Sequence, residues 1–86
     1  MITIHSQDGR HFLGLRHGRK GGYEIVYDGG PHRRRFVLRL RPPHVVKDIE
    51  GHLYNAIKTT DVLTTLYSGL RTAEIEFEID HDQVPR

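Results

Sequence analysis

The stretch RRRFVLRLR, residues 33–41, decides how this chain folds. Its apolar residues Phe36, Leu38 and Leu40 sit at every second position, and alternation of period two is typical of a half-buried β-strand. The pair Pro42-Pro43 ends this strand, because proline donates no hydrogen bond to a sheet ladder. One side of the predicted strand therefore faces a core, and the other side is rich in arginine.

A hairpin is predicted at the start of the chain. Ile2 and Ile4 alternate with polar residues, and Asp8-Gly9 is typical of a two-residue hairpin turn. Such a turn pairs Ile4 with Leu13 and Ile2 with Leu15. This register brings four aliphatic side chains to one face of the sheet.

The middle of the chain adds one strand and two helices. A third strand is predicted over residues 23–27, which makes the first half of the chain a four-stranded antiparallel meander. After the prolines, apolar residues recur at the helical period from Val45 to Ile57, and Gly51 is consistent with close packing of this helix on the sheet. A second, shorter helix is predicted from Asp61 to Ser68, ended by Gly69 in the left-handed conformation.

A final strand is predicted over residues 72–80, TAEIEFEID, which alternate strictly between apolar and acidic side chains. The whole pattern, β-β-β-β-α-α-β, is that of an α+β fold with the helices on one face of the sheet. Two places remain open for the last strand. It lies either parallel to the fourth strand after a right-handed crossover, or at the far edge beside the first strand.

Length and composition predict one small domain over residues 1–80 and a flexible tail over residues 81–86. The chain is 36% hydrophobic and 28% charged, which is typical of a folded soluble domain. It has no cysteine, so disulfides, thiolate nucleophiles and sulfur-ligated zinc are excluded. Residues 1–5 lack the layout of a signal peptide, and a cytoplasmic location is the expectation.

Charge is divided between the two halves of the chain. Residues 1–41 hold nine basic and three acidic residues, a balance of 9 − 3 = +6, whereas residues 42–86 hold four basic and eight acidic residues, a balance of 4 − 8 = −4. A basic half favours an anionic partner, such as nucleic acid or an acidic protein surface.

The predicted outer face of the sheet combines apolar and basic side chains. A protein partner or self-association, with Phe12, Val26 and Val37 as anchors and arginines as the rim, is the leading interpretation. The alternative is single-stranded DNA or RNA, with Phe12 stacked on a base. A third reading pairs the acidic stripe of residues 74–78 with the arginines, which cancels the basic field. The predicted macromolecule-binding residues are Phe12, Arg16, Arg19, Lys20, Val26, His32, Arg33, Arg35, Val37, Arg39 and Arg41.

Residues with the spacing of a catalytic, metal or cofactor site do not stand out. The seven histidines contain no pair at helical metal-binding spacing, and the glycine-rich loop over residues 17–22 matches no phosphate-binding motif. The only serines, Ser6 and Ser68, lie in no nucleophile motif. The sequence therefore predicts a small binding module that acts as an adaptor, inhibitor or assembly factor, with no enzymatic activity, cofactor or membrane partner.

Overall fold

The computed structural model describes residues 2–29, 34–41 and 46–81. Five strands and two helices, with a 3-10 turn at Arg19–Gly21, make an α+β fold, as predicted. The strands are β1 (Ile2–His5), β2 (His11–His17), β3 (Tyr23–Gly29), β4 (Arg34–Leu40) and β5 (Phe77–His81). The helices are α1 (Val46–Ile57) and α2 (Val62–Thr72), and neither is long and apolar enough to cross a membrane.

The five strands form one antiparallel sheet in the order β1-β2-β3-β4-β5. The predicted meander is confirmed, but β5 lies antiparallel to β4, which corrects both positions expected for the last strand. The reason is the number of helices. One helix between two strands returns the chain in the parallel direction, whereas the second helix of this connection reverses it once more.

The first hairpin has the predicted register and a wider turn. Ile2 pairs with Leu15 and Ile4 with Leu13, as expected. The turn is not the two-residue type, because the backbone N–H of Gly9 donates to the carbonyl of Ser6 over 3.0 Å and the N–H of Ser6 donates to the carbonyl of residue 11 over 2.9 Å. The loop therefore spans four residues, 7–10.

A side-chain network fixes this turn. The Ser6 hydroxyl donates to the Asp8 carboxylate over 2.6 Å, and the backbone N–H of Arg10 donates to the same oxygen over 3.0 Å. These two hydrogen bonds, the hydroxyl first, hold the pKa of Asp8 below its ordinary value. The charged carboxylate thus serves the turn as a hydrogen-bond acceptor.

The core lies between the inner face of the sheet and the two helices. Tyr67 of α2 stacks on Phe77 of β5 with ring centroids 5.5 Å apart, whereas α1 packs near β1 and β2. The buried side chains of this core come from the sheet, from both helices and from the connection before β5. They are Leu13, Leu15, Ile25, Tyr27, Leu38, Leu40, Ile49, Leu53, Ala56, Ile57, Val62, Leu66, Leu70 and Ile75.

The end of α2 differs from the prediction. The helix continues through Gly69 to Thr72. It ends in a Schellman motif, in which the N–H of Ile75 donates to the carbonyl of Leu70 over 2.9 Å and Glu74 takes the left-handed conformation at φ +59°. Strand β5 consequently begins five residues later than predicted, because residues 72–76 finish the helix and make the connection.

Neither helical glycine has the role expected of it. A Cβ built on Gly51 meets no atom within 4 Å, so this exposed residue permits no close packing. A Cβ on Gly69 lies 3.0 Å from Nδ1 of His52, which places Gly69 where α2 approaches α1. The glycine predicted to end the helix instead lets the two helices pack closely.

Candidate interaction surface

A row of alternating charge crosses the outer face of the sheet. The strand register places Arg16 opposite Glu24 and Glu24 opposite Arg39. Arg39 in turn stands opposite Glu78, and Asp80 lies two residues further along the same face of β5. The row thus alternates base and acid from β2 to β5, and we call this set, with Arg41 and Glu76, the ion ladder.

The side chains of the ion ladder are joined by ion pairs. Glu24 accepts a hydrogen bond from Nε of Arg16 over 2.9 Å and lies 3.6 Å from Nε of Arg39. Arg39 also donates to Asp80 over 2.8 Å. At the end of the row, Arg41 donates to Glu78 over 3.1 Å and lies 3.9 Å from Glu76.

The ion ladder neutralises the basic stripe that the sequence placed on this face. Three arginines meet four carboxylates, a sum of 3 − 4 = −1. The third reading of the sequence, that the acidic stripe pairs with the arginines, is confirmed for Glu76 and Glu78, although Glu74 lies in the connection and outside the strand. Within the described residues, the carboxylates of the ion ladder therefore offset the charges of its three arginines.

The valines of the outer face are buried. Val26 and Val37 stand opposite each other in the two central strands and are 5% and 6% exposed, so they present little surface for the anchoring role that the sequence suggested. Longer charged side chains flank them on the same face, Glu24 beside Val26 and Arg39 beside Val37. Neither valine belongs to the cluster of buried residues between the sheet and the helices.

Phe12 is half-buried beside the valines. Its ring meets His5 edge-on, with centroids 5.3 Å apart, and lies 3.4 Å from the place of a Cβ on Gly14. The aromatic ring therefore covers the glycine, a common way for a sheet to fill the space that a glycine leaves. Part of the surface predicted to stack on a base is used within the protein.

The exposed basic residues of the turn between β2 and β3 lie at the opposite end of the sheet from Arg35. Arg19 and Lys20 are exposed in the 3-10 turn between β2 and β3, whereas Arg35 stands at the other end of β4, opposite Asp28. A seven-residue strand separates these ends by about 20 Å. The predicted residues His32 and Arg33 lie outside the described residues.

The edge of β5 is the feature that the sequence did not single out. In the described part of the chain, no strand pairs with its outer edge. Ile79 on the inner side of β5 is 39% exposed, and Phe77 is half-buried. An open groove of about 780 Å³ runs along this edge and is lined by Arg41, Arg71, Glu74, Ile75, Glu76, Phe77, Glu78 and Ile79.

Backbone groups of β5 face away from β4, toward the outer edge of the strand. The N–H of Arg41 donates to the carbonyl of Glu76 over 3.2 Å, which identifies these residues as a hydrogen-bonded pair. Bonded and non-bonded pairs alternate along antiparallel strands, so Glu78 bonds with β4 while the N–H and C=O groups of Phe77 and Ile79 face away from it. The outer edge of β5 thus presents backbone donors and acceptors beside an exposed apolar side chain.

A polar pair lies near the core at the opposite end of the sheet from the 3-10 turn. Nδ1 of His11 lies 2.6 Å from the hydroxyl oxygen of Tyr27. Burial, followed by the nearby Asp28 carboxylate, raises the pKa of Tyr27. The described residues contain no cluster of three or more histidines and carboxylates placed to hold a metal ion.

Comparison of the chain with protein-family models, with curated proteins and with solved structures finds no match in any of the three. On the outer face of the sheet the charges form ion pairs, whereas no described strand pairs with the backbone at the outer edge of β5.

Proposed function

We propose that this protein is a non-enzymatic recognition module that binds another protein by adding an extended segment of it to β5. One observation supports the proposal above the rest. The edge of β5 combines outward-facing backbone groups with Ile79, which is 39% exposed, and edges of this kind bind peptides by strand addition. A cytoplasmic module of this kind would serve as an adaptor, an inhibitor or an assembly factor.

The proposal moves the contact surface from the outer face to the edge. Val26 and Val37 are buried, and the arginines of the ion ladder have acidic partners. These residues therefore act as the support of the binding strand. In particular, Arg39 and Arg41 hold β5 against β4 through Asp80 and Glu78.

Nucleic-acid binding is the competing function, and the ion pairs of the ion ladder disfavour it. A polyanion site gains affinity by releasing counterions from phosphates around unpaired cations, and here the arginines of the outer face meet an excess of carboxylates. Arg19 and Lys20 remain exposed but lie together in a single turn. Two cations supply fewer phosphate contacts than a tight complex makes, and the exposed Arg35 lies at the opposite end of the sheet.

The experiment is a selection of random peptides displayed on phage against the immobilised protein. We expect enriched peptides that bind the unaltered protein at least about tenfold more tightly than the variant Ile79→Lys, a difference of about 1.4 kcal/mol. The matched control is Tyr54→Lys, which changes the other exposed large hydrophobic residue, at 46%, on helix α1. Its affinity for the same peptides should be unchanged.

Two results would overturn the proposal. One is a selection that enriches no peptide, or peptides that bind Ile79→Lys as tightly as the unaltered protein. The other is binding of single-stranded RNA or DNA that weakens steeply between about 50 and 200 mM salt and is lost on Arg19→Glu with Lys20→Glu.

A further inference from the structure

We infer that the segment recognised by β5 is an extended chain in which basic residues alternate with aliphatic ones. This inference rests on the proposed function and names the chemistry of the partner. It follows from what the two sides of β5 present at the edge and from how its own neighbour, β4, already pairs with it.

The two sides of β5 would contact different kinds of side chain on an added strand. Its outer side presents Glu76, Glu78 and Asp80, with side chains that are 76%, 65% and 39% exposed. Its inner side presents the half-buried Phe77 and the exposed Ile79. Side chains of an added strand alternate between these two sides, so each second residue meets carboxylates and each residue between meets apolar surface.

The charge along this edge is negative. The groove is lined by Arg41 and Arg71 against Glu74, Glu76 and Glu78, a balance of 2 − 3 = −1, and counting Asp80 together with its partner Arg39 leaves the balance at 3 − 4 = −1. Opposite charges directly across two strands are stabilising, and like charges are destabilising. Lysine or arginine at the outer positions therefore complements the edge.

Strand β4 shows that β5 accepts this pattern. Arg39 and Arg41 pair with its acidic side, while Leu38 stands opposite Ile79 and Leu40 opposite Phe77. The outer edge of β5, with which no described strand pairs, repeats the same alternation of carboxylates and apolar side chains. A partner strand with the pattern of β4 would extend the sheet and its ion ladder by one row.

The same charges disfavour a second copy of the chain. Two β5 strands paired antiparallel about Ile79 would place Glu78 of each opposite Asp80 of the other. Carboxylates would then face carboxylates at both positions, which is a repulsive arrangement. Acidic side chains on an exposed edge are a usual protection against pairing of this kind.

The test uses synthetic, fluorescently labelled peptides of about seven residues, long enough to cover an average strand. The first alternates arginine with valine, the second alternates glutamate with valine, and the third has the composition of the first with its arginines grouped together. We expect the first peptide to bind the full chain at least tenfold more tightly than either of the others, as measured by fluorescence anisotropy.

Two variants locate the bound peptide. Ile79→Pro removes an N–H that faces away from β4, so it should spare the sheet and weaken the first peptide at least tenfold, with Tyr54→Ala as the unaffected control. Where Ile79→Pro loses the circular dichroism of the folded protein, Glu78→Gln with Asp80→Asn replaces it, with an expected weakening of at least threefold. Amide exchange should slow at Phe77 and Ile79 when the first peptide binds.

Each contrary result has its own meaning. Equal binding of the grouped peptide shows attraction by charge alone, equal binding of the glutamate peptide shows no basic preference, and a mass that doubles with concentration shows that a second copy occupies the edge. Each of these overturns the inference. Displayed peptides of another pattern that still require Ile79 would overturn it while the proposed function stands.

Discussion

The two faces of the sheet bury their central residues by different means. Leu38 on the inner face is fully buried against the helices, and its chain neighbour Val37 on the outer face is 6% exposed although it lies outside the main core. The inner face is closed by apolar packing. On the outer face Val37 is flanked by Arg35 and Arg39, and long charged side chains of this kind can cover short apolar ones with their aliphatic parts.

Burial alone does not identify a core, and an arginine stripe alone does not identify a polyanion-binding site. On the inner face, burial comes from elements that meet across layers. On the outer face, it comes from side chains within one layer, which remain half-exposed themselves, as the 50% exposure of Arg16 and 52% exposure of Arg39 show. Truncation of a buried side chain should therefore lower the free energy of unfolding more on the inner face than on the outer face.

The most direct test of this difference is a pair of truncations at neighbouring positions. Leu38→Ala leaves a cavity in the packed inner layer and should lower the free energy of unfolding by about 2–5 kcal/mol. Val37→Ala removes two methyl groups beneath mobile side chains and should cost about 1.5 kcal/mol. Urea denaturation measures both, and equal losses would show that the two faces are packed alike.

The ion ladder should respond to the loss of its central carboxylate. Glu24 joins Arg16 and Arg39 and its side chain is 15% exposed, so Glu24→Gln should lower stability by about 1 kcal/mol, the sum of two modest ion pairs.

The control for this change is Glu76→Gln at the exposed end of the ladder, where the distance to Arg41 is 3.9 Å and the effect should stay within about 0.5 kcal/mol. The loss in Glu24→Gln should shrink when unfolding is measured at about 1 M salt, because salt screens exposed pairs. A loss that is independent of salt would mean that the hydrogen bond from Nε of Arg16, and not the charge of Glu24, makes the contribution.

The connection from the helical layer to β5 stores strain that a single change can release. Glu74 occupies the left-handed region at φ +59°, which costs a residue with a Cβ about 1 kcal/mol or more. Glu74→Gly should therefore raise the free energy of unfolding by about 0.5–1 kcal/mol. The matched control, Thr72→Gly in the last turn of α2, should lower it by a similar amount. If Glu74→Gly instead lowers the free energy of unfolding, the charge of Glu74 stabilises the fold by more than its backbone conformation costs.

Alkaline pH should change the stability of the inner face through Tyr27. Burial raises the pKa of Tyr27 above its ordinary value of 10.0, so the folded protein holds this proton more tightly than the unfolded chain does. The resulting stability is complete below about pH 10 and is lost as the pH rises from there through the raised pKa. Tyr27→Phe should therefore reduce the slope of unfolding free energy against pH above 10.

At neutral pH the same variant should lose about 0.5–1.5 kcal/mol, since His11 no longer has its hydrogen-bond partner. Tyr67, whose pKa is also raised by burial, keeps the remaining slope. An unchanged slope in Tyr27→Phe would show that this hydroxyl is solvated in the folded protein.

Local patterns predicted the elements well and their ends less well. The alternation around Leu38 and the pairing of Ile4 with Leu13 are correct, because period-two burial and hairpin register depend on neighbours in the sequence. The end of α2 was mispredicted at Gly69. A glycine both ends helices and lets them approach each other, and only the position of His52 on α1 distinguishes the two roles.

The candidate site shows a sharper division. Arginines and acidic residues could be listed from the sequence, but whether they attract a polyanion or each other depends on which strands are neighbours. Because β4 pairs with β5, Arg39 and Arg41 bind the acidic side chains of Asp80 and Glu78. That pairing also left Ile79 on an edge, a place that no pattern within residues 72–80 could reveal.

The sequence by itself determined the fold class, the meander of the first four strands, the apolar face of each element and the absence of cysteine chemistry, because all of these follow from composition and from periodicity along the chain. The place and direction of β5, the ion pairs of the ion ladder and the position of Ile79 at an edge that no described strand pairs with follow from the tertiary structure alone. These properties depend on contacts between residues about 40 positions apart, such as Arg39 with Asp80, and a local pattern cannot encode which distant strand becomes a neighbour.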